Sequence, residues 1–170
     1  MYPSIRDIPK KLRELEGNCG PISVWMVLER NGIEADPEEI IVRCGHNLEY
    51  GSFSICLANA LYEYGLSVEF YSDHDPKPQT AEIEAYKKAQ DRFSVNKALS
   101  LTSLLRKVEK GSSCIVSYAT WGGEGHFSPV VSSKTNKVVL AYETNYEMLK
   151  SVFRYRWRAP EILRQCVVAT

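Results

Sequence analysis

The spacing of apolar residues changes once along this chain, at Gly111, and the change limits what it can fold into. Before Gly111 most segments carry apolar residues at helical spacing. From Ser113 onward they come in short β-rich runs broken by glycine and polar turns. "CGPISVWMVLERNG" (Cys19 to Gly32) is predicted as a helix, because Pro21 suits a first turn and Asn31-Gly32 supplies a stop. Ile22 and Met26 lie on one side of it, and Val24, Val27 and Leu28 widen the apolar face. "DPEEIIVRCG" reads as a short helix capped by Asp36 with Pro37 at its first position. "SFSICLANALYEYG" reads as another, with Ile55, Leu57, Ala58, Leu61 and Tyr62 inward. "LSVEFYS" alternates as a strand, "TAEIEAYKKAQDRF" is an outer amphipathic helix, and "TSLLRKVEKG" is a helix capped by Thr102.

Past Gly111 the pattern predicts strands over "SCIVSYATW", "HFSPVVSS" and "KVVLAYETN". "NYEMLKSVFRYRW" returns to helical spacing, with Met148, Val152, Phe153 and Trp157 as its stripe. "CVVAT" closes the sheet as a last strand. Helices first and strands last imply an α+β fold, a helical N-terminal half packed on a small antiparallel sheet from the C-terminal half.

A length of 170 residues fits one domain, 1–170, and the proline-containing "SDHDPKPQT" is a surface loop within it. Lys and Arg balance Asp and Glu, which argues against a nucleic-acid partner, although Arg154, Arg156 and Arg158 make a local basic patch. No apolar run approaches the length that spans a bilayer, so no membrane role is expected. "MYPSIRDIPKKLREL" lacks a signal-peptide pattern, and five cysteines without paired spacing fit a reduced, cytoplasmic chain. Export by a signal-less route stays open.

Two residues suggest chemistry together. Cys19 starts the first long helix, where unpaired N–H groups carry roughly half a positive charge. That field favours a thiolate, the reactive form of cysteine. His126 opens a strand just after the glycine-rich "GGEG", and a thiol nucleophile needs an imidazole as proton acceptor and later donor. Asn18 and the Cys19 N–H are candidate donors to an oxyanion. Gly20 and Gly125 leave room beside the pair. Trp121 is either a wall of a substrate cleft or an anchor at a strand end. Cys44, His46, Cys56 and His74 lack the tight paired spacing of a zinc site, so neither a metal nor a cofactor is expected.

"NCGPISVWMVLERNGI" resembles the nucleophile helix of papain-like cysteine peptidases, in particular that of bacterial double-glycine leader peptidases. "GHFSPVV" is similar to the histidine strand of phytochelatin synthases, and "KVVLAYETN" to the strand that follows it in both groups. The resemblance spans nearly the whole chain; Gly-His-Phe-Ser-Pro is its most specific string. It implies a papain-like fold and a cysteine peptidase or amidase that works through a thioester acyl-enzyme. Cys19 is then the nucleophile and His126 the base and acid. Glu143 stands where the resemblance places the acid, with Asn145 in reserve on the same face. The chain departs from the pattern upstream: "KKLRELEGN" lacks the glutamine that serves as oxyanion donor, and Arg13 stands in its place. The implied substrate is a peptide, a protein or a small thiol peptide such as γ-glutamyl-cysteinyl-glycine. A second class of function is a binding domain that keeps the fold without the chemistry.

Overall fold

The protein is described here by a computed structural model, which covers residues 1–142 and 146–170. A 3-10 turn at Ile5–Asp7 precedes α1 (Lys10–Arg13), α2 (Cys19–Arg30), α3 (Pro37–Arg43), α4 (Ser54–Glu63), β1 (Val68–Ser72), α5 (Thr80–Ala89), β2 (Ser94–Lys97) and α6 (Leu101–Glu109). Then come β3 (Ser113–Ala119), β4 (Gly125–Ser133), β5 (Lys137–Leu140), β6 (Tyr146–Leu149), α7 (Lys150–Trp157) and β7 (Gln165–Ala169). Seven strands form one sheet in the order β2-β1-β7-β3-β4-β5-β6. Every pairing is antiparallel except β1 with β2.

The architecture is the expected α+β one, with a larger sheet than the pattern implies. β1 and β2 come from the helix-rich part of the chain before Gly111 and extend the sheet on one side. β2 is short, exposed and polar, so its residues carry no alternating signal; its pairing along β1 makes it a strand. β7, the expected last strand, is central in the sheet, lying between β1 and β3. Backbone hydrogen bonds exchanged by Ser67 and Thr170 at 2.9 and 3.0 Å hold the end of the chain against β1.

β3 and β7 are buried along their whole length because helices cover both faces of the sheet. Ile115, Val167 and Ala169 point to a core shared with α2 and α4, while Cys114, Val116, Cys166 and Val168 point to a second core shared with α6 and α7. Side-chain alternation divides the two sets. Every residue of α2 from Gly20 to Leu28 is buried. A helix that is apolar all round belongs in the interior, and α2 is the central helix of this fold.

Local chemistry sets most helix ends. Pro21 sits in the first turn of α2, and the chain leaves it through Asn31 and Gly32, whose φ of 70° suits a residue without a side chain. Asp36 caps α3 by accepting from the Glu38 and Glu39 amides. Three expectations need correction. Ser100, not Thr102, caps α6, its hydroxyl accepting from the Ser103 amide. Tyr62 is exposed on α4, where its ring lies under Arg92. Residues Tyr146–Leu149 form β6, not the first turn of α7, because pairing with β5 puts Val138 beside Met148. Met148 thus reaches the same core as Phe153 and Trp157 from a strand.

Candidate active site

Asn18 forms the N-cap of α2 and Cys19 its first residue. Asn18 has a helical backbone (φ −74°, ψ −6°) and its side chain makes no capping bond to α2. The amide is engaged sideways instead. Its Nδ2 donates to the Arg13 carbonyl at 3.1 Å, and its Oδ1 accepts from the Tyr142 hydroxyl at 2.9 Å. The Arg13 guanidinium is exposed, so this position contributes its backbone.

Cys19 is half-buried and lies against β4, where the Phe127 backbone hydrogen-bonds its sulfur. Burial pushes the thiol pKa up; hydrogen bonds from the backbone of Phe127, Gly20 and Cys19 pull the other way without overcoming it. This corrects the expectation of a thiolate favoured by the helix field. The start of α2 is packed beneath β4, so desolvation of an anion outweighs the terminal N–H groups. Gly20 is also used differently from the expectation. A Cβ there would lie 3.0 Å from Ser52 Cβ and 3.2 Å from Leu57 Cδ2. The protein itself fills the space beside Gly20, which lets α2 approach α4.

His126, half-buried on β4, pairs with Tyr118 of β3. Its ring lies 5.4 Å from that of Tyr118 at 72° and 4.7 Å from that of Tyr142 at 60°. Tyr142 is held by its backbone as well: its N–H donates to Ser128 Oγ at 3.1 Å, and that buried hydroxyl donates to the Pro129 carbonyl at 3.1 Å. A continuous path therefore runs from Arg13 through Asn18 to Tyr142, and from Tyr142 to the imidazole and to β4. Cys19 follows Asn18 at one end of this path, and His126 lies at the other, one residue before the Phe127 backbone that the Cys19 sulfur touches. Sequence reasoning passed over Tyr142 and Ser128. The only signal available was a tyrosine immediately after an apolar strand, the same signal that many packing tyrosines give.

The remaining candidates are dispersed. Glu143 and Asn145 lie outside the described residues. β5 ends at Leu140, and the Ala141 amide donates to the Pro129 carbonyl at 2.9 Å. At Gly125 a Cβ would stand 3.0 Å from Ile162 Cδ1, so the chain after α7 takes up the room beside it. Trp121 is 84% exposed in the β3–β4 loop, its indole stacked at 3.6 Å on the Arg156 guanidinium. Buried Cys44 and half-buried Cys56 are neighbours whose thiols burial pushes up, Cys56 to about 11. His46 packs near Gly17, and burial lowers its pKa. His74 lines a separate surface cavity with Asp73 and Asp75. Among the described residues, no three His, Cys, Asp or Glu side chains are grouped to hold a metal ion.

No family model and no curated protein matches this chain. Solved structures do. A putative C39-like peptidase from Bacillus anthracis superposes with a TM-score of 0.66 at 13% identity, covering 99% of this chain and 94% of that one. A double glycine motif protease from an AMS/PCAT transporter, in complex with the leader peptide, gives 0.57 at 16% identity over 99% and 91%. The peptidase domain of Streptococcus ComA, a bi-functional ABC transporter involved in a quorum-sensing pathway, gives 0.55 at 14% over 89% and 90%. The chain thus has the α+β fold of C39-like, papain-like peptidases, with a helical N-terminal region packed on a mostly antiparallel sheet. No helix among the described residues is long and apolar enough to cross a membrane.

Proposed function

We propose that this protein is a cysteine peptidase or amidase with Cys19 as nucleophile and His126 as general base and acid. One observation carries the reading: the Cys19 sulfur lies against the backbone of the residue that follows His126, at the start of the central helix. Burial keeps the resting thiol protonated, so His126 takes the S–H proton as sulfur attacks the substrate carbonyl. The new S–C bond places negative charge on the carbonyl oxygen, near the first N–H groups of α2. Collapse breaks the C–N bond, and the imidazolium returns its proton to the departing amine. Water then hydrolyses the thioester with the same base.

Glu143 is the preferred partner of the imidazole and Asn145 the reserve, each able to fix its tautomer. Asn18 orients the start of α2, with its amide committed to Arg13 and Tyr142. The substrate class is a peptide with small residues before the cleaved bond. The Gly-His-Phe-Ser-Pro string at Gly125–Pro129 favours γ-glutamyl-cysteinyl-glycine as the second reading. A thiol-directed activity probe followed by proteomic cleavage profiling, with glutathione hydrolysis assayed in parallel, separates the two. Cys19→Ala should fold normally and lose both probe labelling and turnover. Cleavage that survives the substitution would overturn the assignment.

A further inference from the structure

Arg156 is only 5% exposed, and its buried Nη2 has no hydrogen-bond partner. Among the described residues no carboxylate pairs with it. Its guanidinium stacks on the face of Trp121, 3.6 Å away. A buried guanidinium normally has an anion, because a π face offsets only part of the lost hydration. Trp121 is a large apolar ring left 84% exposed on a glycine-rich turn. The turn is closed by the Thr120 amide donating to Glu124 at 2.8 Å and the Gly123 amide donating to Thr120 at 3.1 Å. Glu124, three residues after Trp121, and Glu161, five after Arg156, are exposed, and neither is ion-paired to Arg156. Arg154 and Arg158 add positive charge at the end of α7.

The ladder fixes where Trp121 lies along the β3–β4 hairpin. Tyr118 pairs with His126 and Ala119 with Gly125, so the Thr120–Glu124 turn that carries Trp121 sits at the same end of the hairpin as His126.

We propose that Arg156 beneath Trp121 is a carboxylate-binding subsite at the His126 end of the β3–β4 hairpin. It takes an acidic side chain, or a free C-terminal carboxylate, of the peptide substrate. This rests on the hydrolase reading above. Trp121 shields the guanidinium in the empty protein and moves aside as a carboxylate engages its donors edge-on, the arrangement that gives arginine its selectivity for planar anions.

The test is binding, in protein carrying Cys19→Ala so that nothing is consumed. The probes are an acetylated hexa-alanine amide, the same peptide with a free C-terminus, and a series of the amide with a single glutamate at each position. Calorimetry should show the free acid or at least one glutamate peptide binding tenfold or more tighter than the neutral amide. Which of them does so tells the two sources of carboxylate apart. The advantage should vanish in Arg156→Met, which keeps the buried stem. Equal or unmeasurable affinity across the set, or an advantage that survives Arg156→Met, overturns the proposal. Should Arg156→Met fail to fold, the Arg156 Nε–H resonance must move on titration with the acidic peptide and not with the neutral one; a stationary resonance overturns it equally. Because sulfur is absent here, lack of turnover by the unaltered enzyme would count against the hydrolase and leave this result standing.

Discussion

Tyr142→Phe removes one oxygen from the path that joins the start of α2 to His126. The hydroxyl donates to Asn18 Oδ1 at 2.9 Å in a part-buried setting. The ring that stays behind keeps its 4.7 Å contact with the imidazole. A hydrogen bond of this kind contributes about 0.5–1.5 kcal/mol net. In a chain of this length, a loss of about 1 kcal/mol lowers Tm by about 2–4 °C. A thermal melt therefore detects the change, and a cycle with Asn18→Ala isolates it: the two substitutions should couple by about 0.5–1.5 kcal/mol. If the bond holds the start of α2 in its reactive position, kcat falls by up to about tenfold with KM little altered, since each 1.36 kcal/mol of barrier is about a decade. Additive single substitutions with unchanged Tm and kcat would refute the account, because Asn18 and Tyr142 would then not be joined in solution.

Gly20→Ala should destabilise by about 1–3 kcal/mol, the usual cost of overpacking, because the new methyl meets Ser52 at 3.0 Å; an unchanged denaturation midpoint would show that α2 and α4 are not in close contact. Cys19 should be alkylated by iodoacetamide only above the ordinary thiol range, since burial raises its pKa. The same sign makes its stabilising contribution complete below the unfolded thiol pKa and lost as pH rises through the native one. An alkylation midpoint below the ordinary value would contradict the desolvation argument. His126→Ala should move the midpoint higher still; an identical profile would separate the two residues. Glu143→Gln should lower turnover with thermal stability unchanged while Asn145→Ala does little, and the reverse outcome transfers the orienting role to Asn145.

Much of the fold is legible in local chemistry. Pro21 and the Asn31-Gly32 stop delimit α2, Asp36 and Pro37 start α3, and the β-rich runs after Gly111 become β3, β4 and β5. Local spacing cannot distinguish β6 from a first turn of α7, because Met148, Val152, Phe153 and Trp157 read equally well as one helical stripe; pairing with β5 decides it. β2 has no apolar signal and exists through its parallel partner alone.

The site divides in the same way. A cysteine at a helix start and a histidine opening a strand are local facts, and the sequence by itself determined both. The approach of the Cys19 sulfur to the Phe127 backbone of β4, and the direction of the thiol pKa, depend on how deeply packing buries the end of α2. Tyr142 bonds to Asn18 across 124 positions of chain while its ring contacts His126, and no pattern within either segment encodes those contacts. Arg156 reads in sequence as one of three surface arginines; only the tertiary structure buries it beneath Trp121. Propensity and capping act over a few residues, whereas desolvation and long-range pairing depend on neighbours that the chain acquires only when it folds.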